Sequence, residues 1–323
     1  MTRGNPFPTF PSRKTRAVSK WGDRIFLVLT AVAAAGLIAV LVALVVVLYH
    51  GSLPTINALG LNFLYTLTWN PQGNVYGIVP FAIGTLLTSA IALLLAIPLS
   101  IGAAIFLTQH APTWLREPVA QVIQLLAAIP SVVYGFWGLI VLVPIMRYDV
   151  DPILANVLGW TGWFSGRHIG LDVLTASVVL SIMTVPTITA ISKDSILAVP
   201  RSQKEAALSL GATDWEVSRR AVIPYARSGI IAGIVLGLGR ALGETMAVTL
   251  VIGNANVIPT SLFSQGQTIA SLIANDFFEQ ETPLELPALL EAALFLLIIT
   301  LAVNIVARWI QARFQAGRAV GAE

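Results

Sequence analysis

Long apolar runs separated by short polar segments set the pattern of this chain. Six runs reach the roughly 20 residues that a helix needs to cross a bilayer, near 25–49, 75–107, 119–146, 173–191, 228–252 and 287–307. Helix is the predicted element in each, because a lipid-embedded segment must satisfy its backbone hydrogen bonds internally. Several runs are longer than a bilayer requires, so tilts, kinks or extensions are expected. The first run is uncharged from 25 to 49 and no small-residue cleavage site follows it. It therefore reads as a retained span and not as a secretory signal.

The most polar interruption is Ser202-Gln-Lys-Glu205-Ala206-Ala207-Leu-Ser-Leu-Gly211. Ser202 with Glu205, and Thr213 with Glu216, each have the spacing of a capping box. Gly211 stands between them, where a helix end favours a residue free to take left-handed backbone angles. The spacing predicts a helix, a sharp turn and a second helix closed by Pro224. Such a hairpin on a water-facing loop is a candidate docking element.

Charge turns the runs into a topology. The chain is 56% hydrophobic and 11% charged, against about one quarter charged in soluble domains. With a cytoplasmic N-terminus and six spans, 16 of the 19 cations fall inside. They are six in the N-terminal arm, six around the polar segment, Arg116, and Arg308, Arg313 and Arg318. Arg147 and Arg167 fall outside and Arg240 lies within a span. This asymmetry predicts both termini and the hairpin in the cytoplasm. The net charge of +3 is then a signature of orientation, and no nucleic-acid patch is present.

The expected organisation is a basic arm (1–20), a lead span with an external loop (21–74), a five-span core (75–308) that includes the polar loop (200–224), and a tail (309–323). Phe63, Tyr65 and Trp69 fit an aromatic interfacial belt. Residues 153–164, with Trp160 and Trp163, are expected to form an amphipathic surface helix or a lid. The last external loop is acidic, with Asp276, Glu279, Glu281 and Glu285. Absent cysteine excludes disulfides and thiolate metal sites. His50, His110 and His168 are far apart and read as interfacial or solvated, so no metal site is predicted. Pro98, Pro130, Pro144 and Pro186 each remove a backbone hydrogen bond where lipid offers no replacement. They favour a kinked, cavity-forming bundle over a passive anchor.

The fifth span carries the most chemistry. Gly229, Gly233 and Gly237 recur every fourth residue and form a smooth stripe for close helix contact. Arg240 and Glu244 follow near the same face, four residues apart, a spacing that permits pairing. Charges at membrane depth are costly and usually face an interior or an aqueous path. The residues alone leave two readings open: a buried ion pair holding subunits in register, or a guanidinium offered to an oxyanion in transit with Glu244 tuning its release. No G-x-x-x-x-G-K-[ST] phosphate loop occurs, so this chain is not expected to bind ATP by that route. No Ser-His-Asp constellation appears, and no catalytic residue or cofactor is assigned to the chain.

Glu205-Ala206-Ala207, three residues, Gly211, nine residues and then Ala221-Val-Ile223-Pro224 resembles the EAA loop of ABC-importer permeases. That pattern ends Ile-x-Leu-Pro, so Ala221 and Ile223 alter apolar packing while the Glu and Gly remain. Tyr76-Gly-Ile-Val-Pro80 through Thr88, Leu125-Leu-Ala-Ala-Ile-Pro130-Ser-Val-Val-Tyr134-Gly135-Phe-Trp137-Gly138, and Leu236-Gly-Leu-Gly-Arg240-Ala-Leu-Gly-Glu244-Thr-Met-Ala-Val248 are similar to the phosphate-importer branch. The resemblance spans roughly residues 20 to 310. It implies an all-α integral membrane protein with a five-helix type I permease core, one N-terminal span and a cytoplasmic coupling hairpin. It implies that Arg240 and Glu244 line the phosphate path, and that Glu205, Ala206, Ala207 and Gly211 couple to a homodimeric ATPase (PstB-like) that uses ATP and Mg. A sister permease (PstA-like), an extracytoplasmic phosphate-binding protein (PstS-like) and membrane lipid complete the implied partners. The alternatives are a permease of this fold for molybdate or sulfate, and a stand-alone secondary transporter.

Overall fold

The computed structural model describes residues 20–316, with side chains from 21 to 312. The basic arm 1–19 and the end of the tail lie outside the described residues. The chain divides between His50 and Gly51. The first unit is the start of helix α1 (Lys20–Leu59), and its apolar side chains are exposed, among them Ile25, Leu37 and Val47. A helix apolar on every side is suited to lipid.

The second unit begins at Gly51, ahead of the boundary expected at residue 75. Phe63 and Trp69 explain the difference. Both are buried in a cluster with Tyr76, Phe81, Ile269, Leu272 and Leu289. Trp69 meets Tyr76 and Phe81 edge-on, with ring centroids 4.9 and 5.5 Å apart, a favoured aromatic arrangement. Phe63 and Trp69 are thus core residues and not part of an interfacial belt, while Tyr65 remains exposed.

Among the described residues six helices are long and apolar enough to span a membrane. The centre is α2 (Val79–Ile105) packed along α6 (Val173–Leu197), the most extensive helix pair of the fold. Two-thirds of the apolar window of α6 is buried. Beside Pro186, Ser100 Oγ donates to the Val185 carbonyl at 3.2 Å and Thr189 Oγ1 donates to the Ser100 carbonyl at 3.4 Å. These bonds tie α2 to α6 at the level of the proline.

The third run is shifted from its expected place. The segment predicted over 119–146 splits at Pro130. Helix α3 (Thr113–Ala128) ends there and the spanning helix starts at α4 (Ser131–Trp137). Ile129 is extended, with ψ 131°, as the ring of a following proline demands. From α4 the backbone continues through π-helical turns at Gly138–Leu142 and Met146–Val150 into α5 (Asp151–Leu158). Residues 153–158 therefore extend the third spanning helix and do not form a separate surface helix. Pro144 sits between the two π turns, where wide turns give its ring room.

The polar loop follows α6 as α7 (Arg201–Ser209), then α8 (Asp214–Val217). A π-helical turn at Ser218–Val222 leads without a break into α9 (Ile223–Gly243). Pro224 does not close the hairpin. It lies inside the continuous helix directly after the π-helical turn, where the widened turn accommodates its ring and missing N–H. Beyond Gly243 come α10 (Met246–Val251), α11 (Ile269–Asp276) and α12 (Glu285–Ala316). The helix α12 runs through residue 309, where a tail was expected to begin.

Candidate functional site

The glycine stripe of α9 faces α6. A Cβ on Gly229 would collide with the Ser195 side chain, one on Gly233 would lie 3.2 Å from Ile191 Cβ, and one on Gly237 would lie 2.8 Å from Ile188 Cδ1. Missing side chains let the two backbones approach closely. This contact places Arg240, one turn beyond Gly237, against the same helix. Arg240 Nη1 donates to Thr187 Oγ1 at 3.1 Å.

Arg240 and Thr187 line an open cavity of about 1030 Å³ between α6, α9 and α12. Asn304, Arg308 and Gln311 enter it from α12, and Gly239 and Ala232 leave room on the α9 side. Arg240 is half-buried. No carboxylate pairs with it among the described residues, where the ion pairs are Lys193–Asp194 and Arg220–Glu216. A guanidinium carries five N–H donors, and one of them is taken by Thr187. A partly buried cation without a counter-ion is well placed to bind an anion.

Glu244 is not where helical spacing puts it. Helix α9 ends at Gly243, and Glu244 is extended with φ −70° and ψ 122°. Its Oε1 accepts from the Ala247 N–H at 3.3 Å, at the start of α10. An acidic side chain there satisfies an orphan N–H and complements the helix dipole. The i to i+4 pairing with Arg240 therefore does not form, because the backbone leaves the helix between the two residues. The expected pair separates into an arginine in the cavity and a glutamate at the helix break.

The hairpin presents the other candidate surface. Glu205 and Ala206 are exposed, Ala207 is half-buried, and α7 buries none of its residues. Gly211 has φ +83°, a left-handed turn favouring glycine. Its N–H donates to the Leu208 carbonyl at 2.9 Å, and the Ala212 N–H donates to Ala207 at 3.2 Å. Thr213 and Glu216 form the expected capping box, with the Thr213 N–H donating to Glu216 Oε2 at 3.1 Å. The box expected at Ser202 is absent. Pro200 occupies the N-cap, and Ser202 lies inside the first turn of α7. Proline fixes the entry angle there, and its carbonyl accepts from the Gln203 N–H at 3.1 Å. Leu208, Leu210 and Trp215 are 47%, 89% and 60% exposed, a row of large apolar side chains too open to stabilise an isolated chain.

The residues missed by sequence reasoning are Thr187, Asn304, Arg308 and Gln311. The last three recur at i, i+4 and i+7, one face of a helix. That stripe was legible, although its partner helix was not.

Six apolar helices, a helix break beside an arginine-lined cavity and an exposed helical hairpin define a multi-pass membrane permease. Residues 96–318 match the model for the binding-protein-dependent transport system inner membrane component, and the chain belongs to that family. It is 44% identical over 298 residues to the phosphate transport system permease protein PstC of Mesorhizobium japonicum, covering 91% of each chain. It is 46% identical to the PstC of Pasteurella multocida, over 85% of this chain and 87% of that one. Among solved structures, a bacterial alginate ABC transporter in complex with an alginate-bound periplasmic protein matches at TM-score 0.61. Identity is 18%, over 91% of this chain and 97% of that chain. The methionine transporter MetNI in an inward-facing conformation matches at TM-score 0.55 and 14% identity, over 73% of this chain and 95% of that one. The last two show a shared fold, that of type I ABC-transporter permeases.

Proposed function

We propose that this chain is the membrane permease subunit of an ATP-driven importer and passes inorganic phosphate across the cytoplasmic membrane by alternating access. The observation that carries the reading is Arg240, held by Thr187 in an open cavity without a paired carboxylate. A guanidinium fork matches a tetrahedral oxyanion, and relatives of similar length are named as phosphate permeases. In this reading Arg240 contacts the anion and Glu244 holds the helix break beside it. The cation distribution supports cytoplasmic termini and a cytoplasmic hairpin. Glu205, Ala206, Ala207 and Gly211 then face a cytoplasmic ATPase of the PstB kind, which binds ATP and Mg and does the hydrolysis. A PstA-like permease completes the path, and a PstS-like binding protein delivers phosphate from outside.

The test is uptake of labelled phosphate by the complete complex in proteoliposomes, with molybdate and sulfate as competitors. Phosphate uptake that Arg240→Gln abolishes, with the ATPase still bound, is the expected result. Uptake driven better by molybdate or sulfate would overturn the substrate. ATP-independent uptake by this chain alone would overturn the importer reading.

A further inference from the structure

The cavity that holds Arg240 contains a second guanidinium. Arg308 enters it from α12 and is exposed. The register of α12 on α9 is set at two points. A Cβ on Gly239 would lie 3.9 Å from Asn304 Oδ1, and Gln311 Nε2 donates to the Ser228 carbonyl at 3.2 Å. Asn304 is thus level with Arg240 and its neighbour, and Gln311 with the hairpin end of α9. Arg308 lies between them, four residues and about 6 Å beyond Asn304 at the helical rise.

Thr187 occupies part of Arg240, and the Ser228 carbonyl occupies the Gln311 amide. Arg308 has no ion-pair partner among the described residues. Orientation alone accounts for a cation at a helix end, but it does not account for one that shares a cavity with a second unpaired arginine. We infer that Arg308 is a second oxyanion contact. A tetrahedral oxyanion leaving Arg240 is received about one helical turn nearer the hairpin end, between Arg308 and Asn304. Two weak contacts in series fit transit better than one strong site, because an anion bound by both guanidinia at once is slow to leave. This rests on the proposed oxyanion path and adds to it a defined direction of travel and a second residue.

The same chemistry is offered by free phosphate and by a lipid headgroup, and the test separates them. The chain has no cysteine, so Ile305→Cys places one reporter thiol in the cavity. In the complete reconstituted complex, labelling of this thiol is followed with and without inorganic phosphate, in vesicles of phosphatidylcholine alone or with added phosphatidylglycerol. Protection by inorganic phosphate that disappears in Arg308→Gln supports the contact. Protection that follows phosphatidylglycerol content and ignores phosphate overturns it in favour of a lipid site. Uptake is the second measurement. Arg308→Gln is expected to slow phosphate uptake about tenfold, the scale of one lost charge-assisted hydrogen bond, while ATPase binding is unchanged and Arg308→Lys recovers part of the rate. Normal uptake in Arg308→Gln overturns the inference and leaves the Arg240 path standing. Absence of phosphate uptake in the unmodified complex overturns both.

Discussion

Arg240 and Glu244 show how much the conformation of a few residues decides. On an unbroken helix they would neutralise each other, and the cavity would lose its free cation. The end of α9 at Gly243 sends Glu244 to the Ala247 N–H and leaves Arg240 with the hydroxyl of Thr187. Glu244 then acts as a hydrogen-bond acceptor at a helix start, a role worth about 1 kcal/mol. An amide oxygen accepts as well. Glu244→Gln is therefore expected to keep most of the transport rate and thermal stability, and Glu244→Ala to lose more of both. Equal loss of uptake in the two variants would show that the charge itself is needed. The comparison requires only uptake assays and melting curves in detergent.

At the scale of elements, small residues and turns set the architecture. The α9 glycines bring Arg240 against α6, and no other side chain fits at Gly229 without moving Ser195. The hairpin depends on Gly211, whose φ of +83° costs roughly 1–2 kcal/mol for a residue with a Cβ. Its surroundings are open space, so a larger side chain there strains the turn without clashing. Gly211→Val is expected to leave membrane assembly intact and to uncouple ATP hydrolysis from uptake, because it reorients α7 against its partner. Glu205→Lys is expected to do the same through charge. Normal coupling in both would remove the hairpin from the ATPase interface. The glycine spacing, Gly211 and the Thr213–Glu216 box were all readable from local pattern. The unbroken run through Pro130 and the box at Ser202 were misread because Pro130 and Pro200 act on the residues around them, ending one helix or starting the next.

At the scale of the whole chain, the end of the permease opposite the hairpin is held by packed aromatic rings and a crowd of carboxylates. Tyr76 Oη lies 2.6 Å from Thr282 Oγ1, and Glu285, 2% exposed, accepts from the Glu281 N–H at 2.7 Å. Burial, followed by the charges of Glu285 and Glu279, pushes Asp276 up to about 6 from 3.8. With the folded value raised, the folded protein holds more protons between these two values, so this residue's contribution is complete below about 4 and is lost as pH rises through about 6. The unmodified protein is expected to lose thermal stability over that interval relative to Asp276→Asn. Parallel melting curves of the two proteins from pH 4 to 7 would remove the assignment.

The number of apolar spans, the hairpin with its glycine turn and the glycine stripe were determined by sequence alone, because helix length, left-handed turns and close helix approach are local demands. Burial of Phe63 and Trp69 in the core, separation of Glu244 from Arg240 and convergence of Arg240 with Arg308 were decided only by tertiary structure. The physical reason is that the cluster and the cavity depend on partners distant in the chain, Leu289 for the aromatic rings and the register of α12 against α9 for the arginines, while the pair is parted by the helix end at Gly243.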